Sequence, residues 1–171
     1  MTINVVLFQP EIPQNTGNIM RTCAGTDTKL HLIKPLGFNL DEKTIKRSGA
    51  GYVDQTDYTV YEDWEDFVSK NQGSYYFVTR CGKQNYSKVK YHEIKEDIYL
   101  VFGSESSGIP NSILKSYFEN CLRVPMNDKI RSLNLANTVC LVLYEVLRQF
   151  DFNDLLTLEP FKGENYILEN E

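Results

Sequence analysis

The sequence predicts an α/β fold, a mostly parallel sheet with helices on both faces. Strand-like and helix-like runs alternate along the chain, and the strand-like runs are nearly continuous in apolar residues, as strands covered on both faces must be. The length, 171 residues, suits one domain of roughly 100–200 residues.

Taken in order, Ile3–Phe8 (I-N-V-V-L-F) reads as the first strand. A loop with two prolines follows, then a helix near Asn18–Ala24 with Asn15 as its N-cap. Leu30–Ile33 reads as a strand, and Asp41–Arg47 and Trp64–Lys70 as helices. Tyr75–Thr79 and Ile98–Gly103 are the next strands. Pro110 can open a helix over Ser112–Glu119, because a proline in the first turn loses no hydrogen bond. Leu122–Pro125 is a short strand, and Ser132 is a natural N-cap for a long helix from Leu133 to Phe150.

That last helix is apolar on nearly all sides. Leu135, Val139, Val142 and Val146 form one stripe, and Ala136, Cys140, Leu143 and Leu147 the next. Only Asn134, Thr138, Glu145 and Arg148 are plainly polar. Such a helix is buried in its own domain, against a partner, or both.

Composition narrows the function classes. No stretch of about 20 apolar residues is present, so no membrane span is expected. The start lacks the basic and small-residue pattern of a signal peptide. Cys23, Cys81, Cys121 and Cys140 are spaced far from C-x-x-C, and His31 and His92 lie near none of them. They read as small hydrophobes in a reducing cytosol, with neither a metal site nor disulfides. Net charge is −5. Residues 151–171 hold six acids and one base, and the other 150 residues hold 17 of each. Residues 1–150 therefore read as one electrically balanced domain and 151–171 as an acidic, loosely attached tail, so any RNA contact must come from local patches.

Three segments depart from simple packing patterns. Gln9–Thr22 (Q-P-E-I-P-Q-N-T-G-N-I-M-R-T) follows a strand's carboxyl end, where open α/β sheets bind ligands. Asn18 and Arg21 stand three residues apart on one helical face; they also fit a capped helix with a solvated arginine. Val101–Pro110 (V-F-G-S-E-S-S-G-I-P) has the glycine spacing of a phosphate loop. Ile109 and Pro110 stand where such a loop needs Lys and Ser/Thr, which excludes nucleoside triphosphate binding of that type. Gly103 and Gly108 still permit close backbone approach to a ligand. Arg123–Thr138 carries a polar, basic loop into the long helix. Arg80–Lys90, with four bases, no acid and Tyr86, fits either an RNA-contacting patch or a solvated loop, and Lys43, Lys46 and Arg47 form a second such cluster.

Together these segments resemble the SPOUT superfamily of methyltransferases, in its SpoU-type 2′-O branch. The elements are N-x-x-N-x-x-R (Asn15 to Arg21), F-G-x-E-x-x-G-I-P (Phe102 to Pro110) and V-P-M…R-S-L-N (Val124 to Asn134), in the family's order and across nearly the whole chain. Within that branch the chain is most similar to the compact tRNA wobble-nucleotide methyltransferases (TrmL type). The resemblance implies a C-terminal trefoil knot, which chain physics alone argues against. It implies S-adenosyl-L-methionine (SAM) bound by backbone around Val78, Gly103, Val124 and Ser132. It implies a catalytic Arg21 supported by Asn15, Glu105, Ser132 and Asn134. It further implies a cytoplasmic homodimer, paired through the long helix and the helix after Asn15, that methylates the ribose 2′-OH of nucleotide 34 in the tRNA anticodon stem-loop. Arg21 could take up the hydroxyl proton with help from an RNA phosphate, or only stabilise the forming alkoxide. An rRNA ribose methyltransferase and a non-catalytic RNA- or nucleotide-binding module remain alternatives.

Overall fold

The computed structural model describes residues 1–40, 52–152, 155–163 and 165–169. The helix expected over 41–47, with Lys43, Lys46 and Arg47, lies outside the described residues. The elements are β1 (Ile3–Phe8), α1 (Pro13–Gly25), β2 (Lys29–Ile33), β3 (Tyr58–Tyr61), α2 (Trp64–Lys70), β4 (Ser74–Val78), β5 (Gln84–Asn85), β6 (Ile98–Phe102), α3 (Asn111–Ser116), β7 (Cys121–Arg123), α4 (Leu135–Gln149) and α5 (Tyr166–Glu169). A 3-10 turn over Tyr52–Gln55 precedes β3.

Seven strands form one sheet in the order β3-β2-β1-β6-β4-β7-β5, and every pairing is parallel. The chain builds outward from β1 through β2 to β3, crosses to the other half of the sheet with β4 and β5, and then places β6 between β1 and β4. The order therefore reverses between β1 and β6, which puts the loops after these two strands side by side.

Alternate residues of each strand face opposite layers. Val5, Leu7, Leu30, Leu32, Ile98, Leu100 and Phe102 meet Ile19, Met20 and Cys23 of α1 and Val139, Val142, Leu143, Val146 and Leu147 of α4. Val6, Phe8, Ile33, Tyr75, Phe77, Tyr99 and Val101 meet Trp64 and Phe67 of α2 and Ile113 and Leu114 of α3. Each fully buried aliphatic side chain contributes roughly 1.5–3 kcal/mol relative to exposure. Both apolar stripes of α4 thus supply the chain's own core, while Leu141 and Tyr144 on its outer side are 40% and 44% exposed.

β3 and β5 were not expected. Y-T-V-Y is short, with a polar residue inside it, and the two residues of β5 are strand only because they pair with β7. α1 begins at Pro13, five residues before the expected start, and its N-cap position is Ile12, not Asn15. Asn134, not Ser132, caps α4: its side-chain oxygen accepts from the N–H of Asn137 at 3.2 Å. Cys23 and Cys121 are buried as expected, but Cys81 is exposed and Cys140 half-buried; all four are free thiols. Phe152 and Leu155 pack on the α1/α4 core, and the described residues from 156 onward are exposed. Among the described residues no helix is long and apolar enough to cross a membrane.

The second layer is rich in aromatic rings and contains His31, which is 1% exposed. Its Nε2 is 3.2 Å from the Asn4 side-chain oxygen and its Nδ1 is 2.9 Å from the Tyr61 hydroxyl. Asn4 spends its amide on Thr2 and Ile98, so its oxygen accepts from Nε2–H, and Nδ1 accepts from Tyr61. Both partners suit one neutral tautomer. Burial, assisted by the nearby Lys29 charge, pushes the imidazole down to about 4. The neutral form is therefore favoured on folding. This stability is present above the unfolded value near 6.5 and is lost as pH falls toward 4. Urea unfolding between pH 7.5 and 5 should show stability falling below pH 6.5 by up to ~1.4 kcal/mol per pH unit. His31→Gln should flatten that arm, and an unchanged slope in the variant contradicts the assignment.

Candidate active site at the carboxyl ends of the parallel strands

The loops after β1 and β6 are locked to each other by two reciprocal carboxylates. Glu105 accepts from the backbone N–H of Glu11 at 2.9 Å and of Ile12 at 3.2 Å, and from the Asn15 amide at 2.9 Å. Glu11 in turn accepts from the N–H of Ser106 at 3.2 Å and from its hydroxyl at 2.5 Å. No side chain of its own loop caps α1. Pro13 starts the helix without an N–H to satisfy, and the carboxylate that caps the entry comes from the β6 loop, where it also meets the positive end of the helix dipole.

Asn15, 7% exposed, carries this arrangement further. Its side-chain oxygen accepts from the Asn134 amide at 2.9 Å. Glu105, Asn15 and Asn134, each from a different one of the three singled-out segments, therefore form one hydrogen-bonded chain. Ser132 is exposed two residues before Asn134 and is not part of it.

Val78, Gly103 and Val124 come together by strand order alone. Val78 ends β4 and is registered with Phe102 of β6 and Leu122 of β7, so Gly103 and Val124 follow on either side of it. Val78 is half-buried and Val124 is 6% exposed. A cleft of about 230 Å³ runs beside Val124, between Gly82–Asn85 and Arg123, Pro125 and Met126. The loop itself supplies a further reason for Gly103. A Cβ there would lie 2.3 Å from the Gly108 carbonyl carbon, so the bare Cα is needed for the loop to close on itself. The closure is a Ser104–Gly108 bridge with a Ser104–Ser107 hydroxyl contact at 2.7 Å. Gly108 has φ +72° and open space beside its Cα.

Arg21 is not joined to this cluster. It lies six residues past Asn15, roughly 9 Å along α1 and about 240° around it. Its guanidinium carbon sits 5.0 Å from the centre of the Tyr52 ring. Tyr52 was not singled out from the sequence, and no local pattern marks it.

Two of the four bases of the Arg80–Lys90 patch have acidic partners. Lys83 pairs with Glu119 at 2.5 Å and Lys90 with Glu93 at 2.9 Å. The Tyr86 ring packs on the core. Arg80 and Lys88 are exposed, as are Lys129 and Arg131 in the loop before α4.

Comparison with known proteins agrees with this architecture. A protein of Listeria monocytogenes serotype 4b (strain F2365) is 50% identical over 157 residues, 91% of this chain and 93% of that one. A protein of Methylovorus glucosotrophus (strain SIP3-4), named tRNA (cytidine(34)-2′-O)-methyltransferase, is 44% identical over 151 residues, 87% of this chain and 96% of that one. A crystal structure from Bacillus anthracis superposes with a TM-score of 0.86 at 46% identity, covering 91% of this chain and 99% of the other. A structure concerned with 2-OH methylation of C/U34 on tRNA superposes with a TM-score of 0.81 at 36% identity, covering 88% and 97%. The SpoU rRNA Methylase family model matches residues 2–144, a span that includes all three segments of the candidate site, and the chain belongs to that family.

Proposed function

We propose that this protein transfers a methyl group from SAM to the ribose 2′-OH of the wobble nucleotide, cytidine or uridine 34, of tRNA. One observation carries the reading: 44% identity, across 96% of its length, to a protein named for that reaction on cytidine 34. An rRNA substrate is less well supported. The AdoMet-bound rRNA methyltransferase from Sinorhizobium meliloti is 24% identical, and this chain spans 56% of it, which is a likeness of fold. The cytoplasm, where tRNA is found, is the proposed location.

The residues present fit the cofactor. The ends of β6, β4 and β7 offer adjacent backbone around Gly103, Val78 and Val124, with open space at Gly108. An adenine ring needs such an apolar slot with a few backbone partners. When bound, SAM supplies the electrophilic methyl group. A trefoil knot built from the segments around Gly103–Gly108 and Val124–Asn134 is the finer fold that accompanies this reading.

The protein's own task is to align the ribose hydroxyl and ease loss of its proton. Arg21 is the group proposed to meet the 2′-oxygen, where a guanidinium stabilises developing negative charge. Asn15, Glu105 and Asn134 are proposed to hold the loops around the cofactor in register, and the exposed Ser132 to supply backbone to it.

Arg21 and the Glu105 cluster occupy separate parts of one chain, and the proposed site is one shared between two copies. The proposed dimer packs through the exposed Leu141 and Tyr144 side of α4 together with α1.

Isolated anticodon stem-loops incubated with tritiated SAM should take label at the 2′-oxygen of nucleotide 34. Label elsewhere in the loop, or in rRNA alone, sinks the substrate assignment. Arg21→Ala should lower kcat by on the order of 10²-fold or more while leaving SAM affinity intact; substantial turnover at saturating RNA removes Arg21 from the chemistry. Mixing inactive Arg21→Ala protein with a pocket-blocked Val78→Phe protein should restore about a quarter of wild-type activity, because half of random dimers then contain one complete site. No recovery after subunit exchange contradicts the shared site.

A further inference from the structure

We infer that Tyr52 is a positioning residue for Arg21, holding its guanidinium by the face and leaving its N–H edge free for the RNA. The inference rests on the proposed role of Arg21.

An exposed arginine near the end of a short helix samples many rotamers unless something holds it. A carboxylate partner would hold it through a bidentate pair, but would occupy the N–H groups that must meet the ribose and phosphate oxygens. An aromatic ring holds the cation from a different side, since its negative face attracts the guanidinium plane while the donors point away. The structure places the Arg21 cation over a ring and not beside a carboxylate. The Arg21 guanidinium carbon is 5.0 Å from the Tyr52 ring centre. Among the described residues no ion pair or hydrogen bond engages its N–H groups.

Tyr52 is itself fixed in place. It opens the 3-10 turn Tyr52–Gln55, and Thr56 closes that turn onto α1. The Thr56 hydroxyl is 8% exposed as a residue and lies 2.9 Å from the Tyr52 carbonyl and 3.0 Å from the carbonyl of Met20, the residue before Arg21. One hydroxyl hydrogen shared between these two acceptors ties the backbone carrying the ring to the backbone carrying the cation. The pairing is therefore a docked arrangement of two elements rather than a chance approach of two flexible side chains.

The test compares Tyr52→Phe, which keeps the ring, with Tyr52→Leu, which removes it, and with Thr56→Val, which cuts the tie to α1. The readouts are kcat, KM for SAM and for an anticodon stem-loop, and the Nε–H resonance of Arg21 in labelled protein. Tyr52→Leu should lower kcat about tenfold, as misplacement of a reacting group does, with both KM values within about twofold. Tyr52→Phe should stay near wild type and Thr56→Val should fall between. The Arg21 resonance should carry a ring-current shift in wild type and Tyr52→Phe and lose it in Tyr52→Leu. Wild-type kcat in Tyr52→Leu, an equal loss in Tyr52→Phe, or no ring-current shift in wild type would each overturn the inference. Full turnover in Arg21→Ala would instead sink the reading of Arg21. An inactive Arg21→Ala beside an unimpaired Tyr52→Leu would sink only the positioning role.

Discussion

The Glu105 carboxylate is the constraint on which the site depends. It stands where the strand order reverses, between the loops after β1 and β6, and takes three N–H donors from the opposite loop and helix. Two of these belong to the entry of α1, which has no cap of its own. An unmatched donor costs about 1–3 kcal/mol once it is withdrawn from water, so the carboxylate from the β6 loop fixes the two residues that lead into α1. Through Asn15 the same carboxylate reaches Asn134, which caps α4. The start of the first helix, the loop after β6 and the start of the last helix are therefore set by one chain of hydrogen bonds.

This explains why chemistry and packing are separable in the molecule. The two layers of core hold the sheet with aliphatic residues of α1 and α4 on one side and aromatic rings on the other. Neither layer contains Arg21, Glu105 or Ser132. The polar side chains gather at the carboxyl ends of the strands, where backbone groups leave the ladder and can be used by loops and ligands. Arg21 lies two turns nearer the end of α1, on a different face, beside Tyr52. The proposed dimer is the arrangement that would bring such a cation to a substrate held by another copy's strand ends.

Much of the sheet was legible because both-face burial leaves a plain mark. The ranges of β1 and α2 agree with the apolar runs and with the Asp63 cap and Lys70–Asp66 pair that bound α2. β5 was not legible because two residues carry no period. The start of α1 was not legible because Ile12, its N-cap residue, has no capping side chain and its N–H is taken by Glu105, 93 residues away, whereas Asn15 is the nearest local residue with a capping side chain. Ser132 and Asn134 are both competent caps. The contact with Asn15 separates them, and only the fold supplies it. The pairing of Lys83 was not legible for a similar reason: Glu119 lies 36 residues away. The three motifs were legible as an ordered set, whereas the Tyr52 contact, made across the gap between α1 and β3, left no local pattern.

If Glu105, Asn15 and Asn134 act as one unit, Glu105 and Asn134 must be coupled although they do not touch. A double-mutant cycle measures this directly, with Glu105→Ala, Asn134→Ala and the pair compared by urea unfolding. The account predicts non-additivity of roughly 0.5–3 kcal/mol, carried through Asn15, whereas additivity within about 0.3 kcal/mol would contradict it.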